Sequence, residues 1–277
     1  MNSRMHGFER DTLLAVLYSK RVWLMHLITN ALLIVGFFYW TRIPESTGWQ
    51  FAFTVLFGLG IAFVALWLQS ATFLYFRPES GRRMVASLRK SVSRIPALLV
   101  WALIFGLVFW RIGRLWNYDQ QIGGWVRHAL PLLLRRRVTP RALFSASHWF
   151  TWFLCCFLWP ILFLPFGGQA AAKGFRGFFS AGALRPIREL RFWVAYLVCF
   201  VIGGYAPYAL AWMVPKRPSS LTAQTISMVV RLGLGYLLLV TAWVVLCAAI
   251  MRASDGEQEA ATESRLAPIL AQPSPGS

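Results

Sequence analysis

Polar and apolar positions alternate along this chain on the scale of whole helices rather than of single residues. Six long stretches carry no charge: Val22–Thr41, Ser46–Phe76, Ile95–Trp110, Ala142–Ala172, Phe192–Pro215 and Leu232–Met251. About 20 apolar residues in a helix cross the lipid core, where water is not available to satisfy backbone groups. The pattern predicts an all-α, polytopic integral membrane protein with spans at about 22–40, 51–74, 95–111, 149–166, 192–214 and 230–251. Residues 1–21 read as a basic amphipathic N-terminal segment, 22–251 as the transmembrane domain and 252–277 as a disordered C-terminal tail.

The connectors refine the picture. Before the first, third and fifth spans lies a short segment with apolar residues at helical spacing among cations: Phe8–Arg21, Arg83–Arg94 and Phe178–Arg191. Each reads as an amphipathic helix in the headgroup plane, so the six spans are expected as three hairpins, each introduced by an interfacial helix. With the N-terminus inside, 17 Lys and Arg fall on the cytoplasmic side and 10 on the outer side. Both termini are therefore expected in the cytoplasm of a bacterial inner-membrane protein. Letting Ile95–Trp110 re-enter instead of crossing would change the counts to 19 and 8, but that run has no polar residue to line a re-entrant cavity. Six spans are the better reading. Val22–Trp40 closes on Tyr39, Trp40, Thr41 and Arg42 rather than on small residues, and reads as a retained span rather than a cleaved signal.

Composition agrees with that class and narrows the partners. Of 277 residues, 57% are hydrophobic, and the net charge is +18 with a pI near 11. The cations sit between apolar runs, so the expected partners are the lipid bilayer and its anionic lipids, with a membrane protein as a possible further partner and no nucleic acid. Cys155, Cys156, Cys199 and Cys247 lie inside spans with no C-x-x-C spacing, so neither a disulfide framework nor a metal site is expected. No cofactor is indicated either.

Candidate chemistry is sparse. No span holds a carboxylate, which argues against a proton- or sodium-coupled carrier. Hydrolase, phosphate-loop and metalloprotease signatures are absent, and no catalytic residue can be assigned. The segment Ile122–Arg141 joins Trp125, Val126 and Leu132–Leu134 to Arg135, Arg136, Arg137 and Arg141. Apolar side chains there would sink into the acyl boundary while the guanidinium groups fork onto phosphates, so these four arginines are the candidate lipid-phosphate site.

Pro160, Pro165 and Pro207 should disturb the fourth and fifth spans. Gly58 with Ala62, Ala102 with Gly106, and Cys199 with Gly203 are spaced for close helix approach. Arg231 reads as the boundary of the sixth span. The leading functional expectation is a non-enzymatic membrane component engaging anionic lipid or a membrane partner. One rival is a permease component for a small or anionic solute. The other is a lipid-modifying enzyme using His148 or His26, for which a meeting of histidine, arginine and Asp119 would speak.

Overall fold

The computed structural model describes residues 16, 18–44, 46–77, 83–213 and 220–270, with side chains of the last helix described as far as Ser254. It is helical throughout, with no strand among the described residues. Six helical stretches are long and apolar enough to cross a membrane, as expected of a multi-pass membrane protein.

The first two are α1 (Lys20–Trp40) and α2 (Gly48–Tyr75). Their register is set by small residues and aromatic donors. Trp40 Nε1 donates to the Thr54 carbonyl at 2.8 Å, and a Cβ on Gly58 would lie 3.2 Å from that indole nitrogen. Thr47 starts α2 with a capping box: its hydroxyl accepts from the Gln50 amide while Gln50 reaches back to the Thr47 amide.

A short helix α3 (Met84–Ser91) and one 3₁₀ turn lead directly into α4 (Ile95–Gly113). Pro at the second position of α4 costs no hydrogen bond, because the first amides of a helix have no partner within it. At 19 residues α4 is ~28 Å long, close to the ~30 Å lipid core, and it shows no re-entrant turn.

The long connector folds as α5 (Asp119–Ala129), α6 (Leu132–Arg137) and α7 (Pro140–Trp152). A π-helical turn, Phe153–Leu158, joins α7 to α8 (Trp159–Lys173). Then come a four-residue helix α9 (Arg185–Arg188), α10 (Leu190–Phe200), a second π turn Val201–Tyr205, and α11 (Ala206–Trp212). The prolines account for the placement of both π turns. Pro160 and Pro207 would each drive a ring into the carbonyl four residues back, Cys156 and Gly203, and the wider turn at those residues gives the ring room. Pro165 is held inside α8 with no such turn.

The last helix, α12 (Leu221–Leu270), has 50 residues, or ~75 Å. It differs from the sequence expectation at both ends. It begins before the expected span 230–251, at Leu221, and runs past it, to Leu270. Ala253, Glu257, Glu259, Ala260, Ala261 and Glu263 are good helix formers, which is a local reason for it to continue. Arg231 sits ten residues into α12, where Nε donates to the Ser227 carbonyl at 3.1 Å and Nη1 to the Leu210 carbonyl of α11 at 3.3 Å. Its guanidinium is thus tied to backbone on two helices.

The core lies at one end of the bundle. It takes the first turn of α1 (Val22), the last third of α2 (Leu68–Phe76), the start of α4 (Ile95, Ala97, Leu98), the end of α8 (Ala170–Ala172), the start of α10 (Phe192, Tyr196) and the later part of α12 (Val240–Ala253). Small residues allow the approach: a Cβ on Gly168 would meet Ile250 Cγ2 at 2.9 Å, and one on Gly203 would collide with the Ala242 Cβ at 2.4 Å. Gly106 behaves otherwise. It faces open space, with no described atom within 4 Å of where a Cβ would lie.

The segments expected as interfacial preludes take varied local forms. Helix α3 turns Met84, Ser87 and Ser91 inward and leaves Val85 exposed, as is Val92 in the 3₁₀ turn after it, while the third prelude is broken into 3₁₀ turns, the single turn α9 and the start of α10. Most of the first, Phe8–Arg21, lies outside the described residues.

Between α4 and α8 the aromatic side chains form a continuous stack: Trp101, Phe105 and Phe109 against Trp159 and Phe163, with centroid spacings of 4.5–6.3 Å. Trp101 Nε1 donates to the Phe163 carbonyl at 3.1 Å, and Trp159 Nε1 donates to the Phe105 carbonyl at 3.2 Å. Each helix thus gives one indole hydrogen bond to the other, which suits buried Trp N–H groups in lipid.

Candidate functional site

Two regions bring polar groups together. The first is the connector between α4 and α8. Helices α5 and α7 pack side by side because Gly123 offers no side chain where Phe144 lies; a Cβ there would sit 2.5 Å from Phe144 Cδ1. Thr139 caps α7, accepting from the Ala142 amide at 3.2 Å, and Pro140 occupies its first turn. This packing brings Asp119, in the first turn of α5, to His148 and Ser147 of α7. His148 Nδ1 is 3.1 Å from Asp119 Oδ2, and Ser147 Oγ donates to Asp119 Oδ1 at 3.2 Å. Trp116 stacks on the imidazole at 6.0 Å and 28°. Asp119, His148 and Trp116, with Gln120, Arg141 and Phe144, line a cleft of about 600 Å³.

The four arginines expected to take lipid phosphate separate into two kinds. Arg135 is committed to the protein itself: its Nε donates to the Arg127 carbonyl at 3.1 Å and its Nη2 to the carbonyls of His128 and Leu130. It thereby satisfies the unpaired carbonyls at the C-terminus of α5. Arg136, Arg137 and Arg141 are exposed, and no ion pair involves them among the described residues. The same connector carries exposed apolar side chains: Trp125, Leu132, Leu134, Trp149 and Phe150.

The second region is a groove of about 830 Å³ among the candidate spans, bounded by α1, α2, α10 and α12. Leu33, Ile34, Phe37 and Ile61 make much of its wall, and no Asp, Glu, Lys or Arg lines it. Its polar groups gather at one level. His26 Nε2 pairs with Thr72 Oγ1 at 2.8 Å, Tyr236 donates to the His26 carbonyl at 3.4 Å, and Trp243 Nε1 donates to Gln69 Oε1. Asn30 also lines it.

The four cysteines are free, and no group of three metal-ligating side chains exists among the described residues. The sequence named a meeting of histidine, arginine and Asp119 as the mark of an enzyme without saying which histidine, and the fold brings His148 to Asp119 with Arg141 lining the same cleft. Sequence reasoning passed over Asn30 and Gln69. Their signal was present as amide side chains inside otherwise apolar runs. Compared with known protein families, curated proteins and solved structures, the chain matches none, so the geometry of these two regions is what bears on function.

Proposed function

We propose that this is a non-enzymatic membrane-embedded protein that holds anionic lipid at the membrane surface through the connector α5–α7. The carrying observation is that Arg136, Arg137 and Arg141 are exposed and free of ion pairs among the described residues, on the same segment as exposed Trp125, Leu132, Leu134 and Trp149. Apolar side chains that would be unfavourable in water fit the acyl boundary, and the guanidinium groups beside them fit phosphate oxygens. Each cation near an anionic leaflet contributes about 1 kcal/mol.

The reading includes a bacterial inner-membrane location with both termini cytoplasmic, six spans paired as three hairpins and basic segments at the headgroup level. Reporter fusions at Asp255 and near Gly48 should give opposite sidedness. The lipid claim is tested in nanodiscs with wild type and an Arg136→Gln, Arg137→Gln, Arg141→Gln variant of verified orientation. Wild type should retain more anionic lipid, and salt should shrink the difference by screening surface charge. Equal retention would overturn the reading.

A second reading, a lipid-modifying enzyme, is favoured by the Asp119–His148 contact in a cleft shared with Arg141. A carboxylate on Nδ1 fixes the imidazole tautomer and leaves Nε2 as a base, while Arg141 would hold a phosphate. Headgroup turnover in nanodiscs, followed by mass spectrometry and abolished in His148→Asn, would replace the binding reading with this one.

A further inference from the structure

The groove bounded by α1, α2, α10 and α12 is separate from the connector, and its chemistry is of another kind. Asn30 is the eleventh of 21 residues of α1, so it lies roughly 15 Å from either end of that helix. The contacts of His26 with Thr72 and of Gly36 with Ile61 fix the register of α1 against α2 and place Asn30 level with the turn that carries Gln69. Both amides line the groove. Among the described residues Asn30 has no hydrogen-bond partner, and Gln69 uses only its Oε1, as acceptor for Trp243. An amide kept from water without a partner costs on the order of 1–3 kcal/mol, and bilayer depth supplies no water. A plain hydrocarbon chain would fill the volume but would leave these groups unmet. A charged ligand would find no counter-charge on the lining.

We propose that this groove binds a neutral lipid whose apolar body carries a carbonyl or hydroxyl, with that polar group held between Asn30 and Gln69 near mid-membrane. The body lies along Leu33, Ile34, Phe37 and Ile61, of which Ile34 and Phe37 are exposed, so entry is lateral. The volume lies within the ~300–1,000 Å³ usual for small-molecule sites, and the lining matches their pattern of apolar walls with a few placed polar groups. Asn30 donates to a carbonyl or accepts from a hydroxyl, and the Gln69 amide nitrogen serves as the second donor.

The test uses the whole protein in phosphatidylcholine nanodiscs and two probes of matched shape, decylbenzoquinone with its carbonyls and decylbenzene without them. Thermal-shift titration should give at least about tenfold tighter binding of the quinone, as one or two hydrogen bonds gained in an apolar surround imply. Asn30→Leu removes no hydrogen bond among the described residues, so the variant should melt no lower than wild type while losing the preference between probes. Equal binding of both probes to wild type would make the groove a plain acyl-chain seat and overturn the assignment. So would quinone preference that survives Asn30→Leu. Binding of neither probe, together with efficient disulfide cross-linking of an Ile34→Cys variant into dimers, would show a second copy in the groove instead.

Discussion

The two ends of the helix bundle are built differently. At one end, the start of α4 and the later parts of α2, α8 and α12 are buried among small and branched side chains, and glycines sit where any Cβ would collide. At the other, Phe37, Phe38, Trp49, Phe51, Leu103, Leu107, Trp212 and Ile226 are exposed, and Gly48, Gly60, Gly106 and Gly233 face open space. Water would penalise the second end, but lipid does not, since acyl chains are as apolar as leucine. Association of spans therefore depends on shape and hydrogen bonds, and it is the packed end that supplies both. The open end carries the connector with its exposed arginines.

The largest effect that would test this contrast is expected at Gly177. A Cβ there would lie 2.1 Å from the Gln169 carbonyl oxygen, a backbone atom that a rotamer change cannot move. Gly177→Ala should cost about 3 kcal/mol or more in detergent unfolding, whereas Gly106→Ala, with open space around it, should be neutral or slightly stabilising. Similar losses at both positions would erase the distinction between the ends.

A smaller effect is expected at the buried His26–Thr72 pair. Thr72→Val keeps shape but leaves His26 Nε2 unpaired at 1% exposure, and should lower stability by about 1–2 kcal/mol. At the open end, Arg135→Gln uncaps the carbonyls at the end of α5 and should cost about 1 kcal/mol, read as faster local proteolysis of the connector. The smallest effect belongs to Arg136→Gln with Arg137→Gln, which touch no described partner. Melting should be unchanged while salt-sensitive lipid retention falls.

Long helices were easy to read from the sequence, because an uncharged run of 16 or more residues has few other folds available in lipid. Their facing was not legible. Spans such as α2 are apolar all round, so no periodicity says that Leu68 is buried while Leu56 is exposed. For the same reason the groove, with walls from α1 and α12 some 200 residues apart in sequence, left no local trace. The prolines gave a local signal, and its outcome was the pair of π turns around Cys156 and Gly203. The Asp119–His148 contact spans 29 residues and depends on Gly123 admitting Phe144, a tertiary fit that spacing alone does not encode. Arg135 looked like its neighbours in sequence, and only the fold distinguishes it.

The central place of α12 bears on how this protein is made. More than half of its apolar stretch is buried inside the bundle, against a third or less in each of the other five. It is also the last of the six to leave the ribosome. Until it arrives, Phe73 lacks Trp243 and Gly203 lacks Ala242, so the earlier spans, tied in pairs by their indole hydrogen bonds, reside in the bilayer without their common packing partner. Assembly thus completes in one late step, and a chain stopped before Val240 would be inserted yet unfinished, a ready substrate for membrane proteolysis.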